Sequence, residues 1–425
     1  MQLVALKGFS TYPSVSCMPN AISPTPTRPL FAYVGTYTDG GKPWRGGVGS
    51  GVHQFAVDPD TGALQRLPNA PVAALHDNSN APAYADRNPA TLARHPNTAL
   101  AVLYVANEFD GLTGPNTSGS VSAYAMGPNG ALQFLAEVDC GGKNPAYISV
   151  HPEGRYLFTA NYVSGDVSVI ALRADGHFDS HRPARVYPNA LCCGATPCAP
   201  GANVVPQAAL DHEGFALSDH DGPHAHMVQA DPSGNFVLVT DLGLDRVIAY
   251  RFDRDTGALS APTSACVTES SGARHFIFHA NGRWLYVVNE EASTVAFFTF
   301  DPGTGQLTWV SETSTLPAGF KGTSFASNIQ MLPSGSHFVV LNRLHDSIAI
   351  FELDASTGAP SCLGEEWTRG SFPRSCTLDP SGRYLYVCHN KQGDNVTVFA
   401  VDGHRLHFTG QYIAVGSASM LVFSH

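Results

Sequence analysis

From Phe31 onward the chain is a succession of short apolar runs punctuated by Gly, Pro, Asn and Asp. The clearest unit runs from Arg274 to Val310: RHFIFHANGRWLYVVNE, then STVAFFTF, then DPGTGQLTWV. Runs of this length, rich in β-branched and aromatic residues and bounded by turn formers, read as strands. The Asn281-Gly282 and Asp-Pro-Ser-Gly segments between them read as tight turns joining antiparallel neighbours. Each unit is therefore four short strands. The second has the form aromatic-Leu-aromatic-Val-x-Asn, and the third and fourth are joined through Asp-x-x-Thr-Gly.

The end of that second strand recurs at Asn107, Asn161, Asp241, Asn289, Asn342 and His389. Four strands in each unit of about 40–50 residues is the pattern of a propeller blade. A first copy beginning at Phe31 lacks its innermost strand, and Ala418 to Phe423 is one strand left over at the other end. Pairing the two closes a ring and removes an exposed sheet edge. The expected fold is thus all-β: a seven-bladed β-propeller of four-stranded antiparallel blades, closed by the C-terminal strand and forming one domain over 30–425. Residues 1–29, rich in Ser, Thr and Pro, read as a disordered leader. Loops are lengthened at 66–90 and 108–120, and the longest insertion, 182–222, is expected near the channel mouth.

Blade topology sorts polar residues between two faces. The first strand of a blade lines the channel and the second returns antiparallel beside it. First-strand starts and second-strand ends therefore share a face, opposite the Pro-Ser-Gly turns. That face receives His224, His226, Arg274, His275, Asn328 and Arg374 from strand starts. Glu108, Asn161, Asp241, Glu290 and Arg343 come from strand ends. Singly, each has a plain structural explanation. An Asn or Asp there satisfies a turn, a His beside Pro belongs to a turn, His275 packs in a core, and an Arg is solvated. Together, three arginines, a carboxylate and imidazoles at one mouth suit an anionic substrate and proton transfer.

Composition narrows the partners. Only 14% of residues are charged, and the formal net charge is −11 with no compensating basic run, which excludes a nucleic-acid surface. No apolar run reaches the ~18 residues of a membrane span. Gly (41) and Pro (30) are abundant, as many tight turns require. Of nine cysteines, Cys140, Cys266, Cys362, Cys376 and Cys388 fall singly in or near strands and read as free buried thiols. Cys192, Cys193 and Cys198 cluster in the insertion but match no four-ligand spacing, so neither metal nor other cofactor is expected. The leader lacks the apolar core of a secretory signal, so a cytoplasmic location is expected. A small anionic molecule is the expected partner, and the chain is expected to be a monomer or weak homo-oligomer.

These residues resemble the seven-bladed propeller lactonases, which include propeller-type 6-phosphogluconolactonases and fungal carboxymuconate lactonizing enzymes. The resemblance covers 31–423 and rests on YVGTYT (33–38), NPAYISVHPEGRYLFTANY (144–162), GPHAH (222–226), TDLGLDRV (240–247), ARHFIFHANGRWLYVVNE (273–290), NRLHDSIAIF (342–351) and PRSCTLDPSGRYLYV (373–387). It implies a metal-independent site at the channel mouth. The family's catalytic histidine matches His226, its arginines match Arg274 and Arg343, and its glutamate matches Glu290. His224, Asp241, Arg374 and Asn161 join them as substrate-binding candidates by position alone. The implied activity is hydrolysis of 6-phosphogluconolactone or a related sugar lactone. A carboxymuconate-type cycloisomerase needs the same groups. A binding propeller is the non-enzymatic alternative, although no Trp-Asp blade signature is present. A quinone-dependent dehydrogenase lacks the ligand set it requires.

Overall fold

A computed structural model describes residues 29–38, 47–68, 88–109, 118–188, 220–391 and 395–425. Its strands form seven four-stranded antiparallel sheets. The innermost strands stand side by side around a channel. Ala418–Phe423 touches both Ser371–Leu378 and Pro89–Arg94, which closes the ring. In the closing blade Ala418–Phe423 pairs antiparallel with Phe31–Thr36, Tyr33 opposite Val422. The N–H of Ser424 then donates to the Phe31 carbonyl at 2.9 Å. The split blade expected from the sequence is therefore the ring's closure.

The aromatic positions of the second strands have a structural reason. Tyr104, Tyr156, Tyr286 and Tyr386 bury their rings between blades. Each hydroxyl donates to a carbonyl on an outer turn of the next blade: Gly176, Asp255, Gly358 and Gly62 respectively. A buried phenol keeps its apolar area out of water while its O–H stays satisfied. Gly358 shows why the turn needs glycine. Its φ is +77°, and a Cβ there would lie 2.4 Å from the Trp284 ring. Between blades, residues such as Leu238, Val247, Phe276, Leu285, Val287 and Phe298 form continuous apolar layers. Each large side chain so buried contributes roughly 1.5–3 kcal/mol.

A feature absent from the sequence pattern positions the site. All seven innermost strands begin with a break in register against the second strand, that of the closing blade lying between Ala418 and Met420. The other interruptions lie between Ala225 and Met227, Ala273 and His275, Ala326 and Ile329, and Pro373 and Ser375. Two further ones lie between Pro89 and Thr91 and between Pro145 and Tyr147. Such bulges place an extra residue on one strand and re-aim its side chain. The extra residues include His226, Arg274 and Arg374.

Two expectations are corrected. Arg185–Pro188, read from the sequence as part of an insertion, is the fourth strand of its blade and pairs with Asp166–Ala171. Likewise Pro89–Arg94 and Ser120–Met126 begin where lengthened loops were expected. Residues 69–87, 110–117 and 189–219, which include Cys192, Cys193 and Cys198, and 1–28 of the leader lie outside the described residues. Cys266 is disulfide-bonded rather than free, whereas Cys140, Cys362, Cys376 and Cys388 are free thiols.

Candidate active site

Glu290 follows directly on the strand Trp284–Asn289, with its N–H donating to the Gly272 carbonyl at 2.7 Å. Its Oε2 lies 2.5 Å from Arg274 Nε and 2.7 Å from Arg343 Nη2. Both guanidiniums are buried, Arg274 almost wholly. Burial pushes the Glu290 carboxyl up, but Arg343 and Arg274 outweigh it and hold the group below the usual carboxylate range. Burial in turn lowers Arg274 to about 9 against the opposing pull of Glu290, so it stays charged at neutral pH.

Across the channel lies a second cluster. The Tyr37 hydroxyl donates to Glu108 Oε2 at 2.8 Å. Arg374 Nη2 is 3.5 Å from the same oxygen, and its guanidinium sits 4.9 Å from the Tyr37 ring centroid. Beside the first cluster, Phe372 has Arg343 at 5.2 Å and Lys391 Nζ at 4.2 Å from its ring centroid. That ring stacks against both cations.

Two imidazoles stand between these groups. The His226 and His275 ring centroids are 5.1 Å apart, and His226 also packs edge-on against Tyr162. Burial first, and then the surrounding guanidiniums, push both rings well below the ordinary histidine range. Both are therefore neutral at pH 7. His226 Nδ1 is buried without a hydrogen-bond partner among the described residues. Beneath the mouth the channel is a cavity of about 540 Å³, lined in part by Tyr147, Met227, His275, Asn328 and Cys376. Among the described residues no group of three or more His, Cys, Asp or Glu side chains is placed to hold a metal.

The structure brings His226, Glu290, Arg274, Arg343 and Arg374 to one mouth. It does not bring the other three position-based candidates there. Asn161 is buried inside its blade, donating to Asp166 Oδ1 at 2.6 Å and Ser168 Oγ at 2.8 Å. Asp241 is buried as well, its Oδ1 accepting from the N–H groups of His224 (2.8 Å) and Leu244 (3.0 Å). The His224 ring lies on the Tyr162 ring with centroids 4.8 Å apart. Its Nδ1 contacts the Tyr162 carbonyl and its Nε2 contacts Asp221, each at 2.8 Å, so both ring nitrogens are used at the rim. The physical reason is alternation along a strand. The recurring Asn or Asp faces into the blade and closes a turn, and the residue after it (Glu108, Glu290, Arg343) faces the channel.

Sequence reasoning placed Glu108, His275 and Asn328 on the correct face without selecting them, and it missed Tyr37 and Lys391. The repeated step from inward Asn to outward next residue was the available signal for Glu108.

Comparison with known proteins adds a family. The family described as Lactonase, 7-bladed beta-propeller matches residues 31–423. A Bacillus subtilis protein named 6-phosphogluconolactonase is 28% identical over 376 residues, covering 88% of this chain and 91% of its own. A Formosa agariphila protein of the same name is 25% identical over 92% of this chain and 99% of its own. Among solved structures, a periplasmic gluconolactonase from Pseudomonas aeruginosa superposes with a TM-score of 0.73 at 28% identity, covering 93% of this chain and 99% of that one.

Proposed function

The chain belongs to the seven-bladed β-propeller lactonase family, and we propose that it hydrolyses a sugar lactone carrying an anionic group, of the 6-phosphogluconolactone kind. The charge inventory of the mouth carries this reading. Arg274 and Arg343 pair with Glu290 and Arg374 with Glu108, Lys391 shares the Phe372 ring with Arg343, and both histidines are neutral. Four cations less two carboxylates leaves two positive charges, in a chain whose formal net charge is −11. A phosphate monoester carries up to two negative charges at pH 7 and matches that excess. The names of the Bacillus and Formosa relatives support the same substrate class.

In this mechanism His226 is the general base. It is neutral, buried and has an unpartnered Nδ1, whereas the Glu290 oxygens are held between two guanidiniums. Water adds to the lactone carbonyl carbon and gives one proton to His226. The C=O π pair moves onto the carbonyl oxygen beside Arg274. As that pair returns, the ring C–O bond breaks and the leaving oxygen takes the proton from His226. Arg343, Arg374 and Lys391 hold the phosphate, and Glu290 keeps Arg274 and Arg343 aligned. Acid–base help of about 10²–10⁴-fold is sufficient for an ester this reactive.

The test compares freshly made 6-phosphogluconolactone with uncharged glucono-δ-lactone, each above its spontaneous hydrolysis. Faster turnover of the phosphorylated lactone is expected. No acceleration of either by folded wild-type protein overturns the reading, and conversion of a muconate lactone instead would assign the cycloisomerase.

No helix of the described residues is long and apolar enough to cross a membrane. The disulfide at Cys266 argues against the cytoplasmic placement expected from the sequence, because reducing compartments keep thiols free. The similar Pseudomonas aeruginosa structure is of a periplasmic gluconolactonase. Alkylation of the denatured, unreduced protein from its native source tests this: Cys266 stays unlabelled if the bond persists there.

A further inference from the structure

Two hydrogen bonds decide which nitrogen of His275 carries the proton. The backbone N–H of Cys376 donates to Asn328 Oδ1 at 3.0 Å. That fixes the amide orientation, since the flipped amide would set NH₂ against N–H. Asn328 Nδ2 therefore faces His275 Nδ1, at 3.1 Å. An amide nitrogen only donates, so Nδ1 accepts and the proton of the neutral ring is on Nε2. Tyr147 packs edge-on against the same ring, centroids 5.3 Å apart, and fixes its plane.

Nε2 lies 3.3 Å from Arg274 Nη1. Both are donors, so this contact is two N–H groups side by side rather than a hydrogen bond between them. Arg274 Nη1 donates one of its two hydrogens to the Ser327 carbonyl, and the other is directed to the His275 side. The bulge between Ala273 and His275 takes Arg274 out of register with the second strand, and His275 lines the cavity there.

We propose that His275 Nε2–H and Arg274 Nη1–H form a paired donor site for the carbonyl oxygen of the substrate, with His275 a catalytic residue and Asn328 its positioning residue. This rests on the lactonase reading of the mouth. When water adds to the acyl carbon, the displaced π pair resides on that oxygen and both N–H groups hydrogen-bond to it without transferring a proton. The pair returns to carbon as the ring C–O bond breaks. His275 takes no part as a base, because its one lone pair is engaged by Asn328. A hydroxyl or uncharged ether offers weaker acceptors, so the site favours an acyl oxygen or a carboxylate.

Long-range ¹H–¹⁵N spectra of protein labelled in its histidines test the tautomer directly, with His275 identified by the signals lost in His275→Gln. Protonated Nε2 and bare Nδ1 are expected at neutral pH; protonated Nδ1 overturns the donor pair whatever the enzyme does. His275→Phe is expected to lower kcat about 10²-fold with KM little changed, as loss of an oxyanion donor does. His275→Gln, which keeps an N–H near the same place, should recover much of that loss. Asn328→Asp retains an acceptor for Cys376 but turns Nδ1 into a donor. It should move the ¹⁵N pattern and kcat together. Full kcat in a folded His275→Phe protein, or in Asn328→Asp with an inverted tautomer, overturns the proposal while leaving the lactonase reading in place. Titration with 6-phosphogluconate separates the remaining case. A shift of the Nε2–H resonance supports the donor pair, and its absence at saturation rejects the pair even if the lactone is hydrolysed.

Discussion

Replacing Glu290 by Gln removes one negative charge from between two buried guanidiniums while preserving the size of the side chain. In the wild type its carboxylate lies 2.5 Å from Arg274 Nε and 2.7 Å from Arg343 Nη2, and the side chains are 12%, 1% and 8% exposed respectively. Breaking a buried ion pair by removing one partner costs about 3–5 kcal/mol, because the remaining charge stays desolvated. Gln retains a carbonyl acceptor for one guanidinium, so the lower end, about 3 kcal/mol, is expected. An unfolding entropy of roughly 2 cal/mol/K per residue gives about 0.9 kcal/mol/K for a chain of this length, hence a Tm lower by about 3–4 °C. The pH dependence supplies a second check. The Glu290 pKa is depressed in the folded protein, so its stabilisation is present above the ordinary carboxylate value and is lost as pH falls through the folded value. The gap between wild type and Glu290→Gln should therefore be widest near pH 7 and shrink in acid. Differential scanning calorimetry at pH 7 and pH 4 measures it. Equal Tm values at pH 7, or a gap that widens in acid, would refute the clasp role given to Glu290.

Three further outcomes are expected. His226→Gln should lower kcat about 10²–10⁴-fold. The wild-type rate should stay level well below pH 6.5 before falling, because burial and the arginines depress this imidazole; a stopped-assay pH profile checks both. His220 contacts the buried Glu291 at 2.7 Å, which raises its pKa to about 9. Its stabilisation is fully present below about pH 6.5 and is lost as pH rises through about 9, so wild type should lose on the order of 3 kcal/mol over that window and His220→Gln much less, as read by urea melts. Gly358→Ala should destabilise by about 2–4 kcal/mol, since φ is +77° and the new methyl meets Trp284. An unchanged urea midpoint would show that the turn relaxes.

Much of the architecture was written locally. Strand periodicity, the Asp-x-x-Thr-Gly turns and the leftover strand Ala418–Phe423 are short-range signals, and each specifies its element without reference to distant residues. The face that carries the site followed from the same pattern, because strand direction alone sorts ends from turns. Tertiary structure decided which side chains reach the mouth. Asn289 and Glu290 are neighbours, yet one faces into the blade and the other the channel. His226, Arg274 and Arg374 reach it as bulged residues, and a bulge is a property of strand pairing that no single strand encodes. Glu108 and Arg374 are 266 positions apart and meet at 3.5 Å through the blades that join across the ring closure. The His275 tautomer depends on Asn328 and Cys376, contributed by two other blades. Sequence alone determined the ring and the face of the site; direction, charge pairing and proton placement came from packing, where side chains distant along the chain set one another's burial and partners.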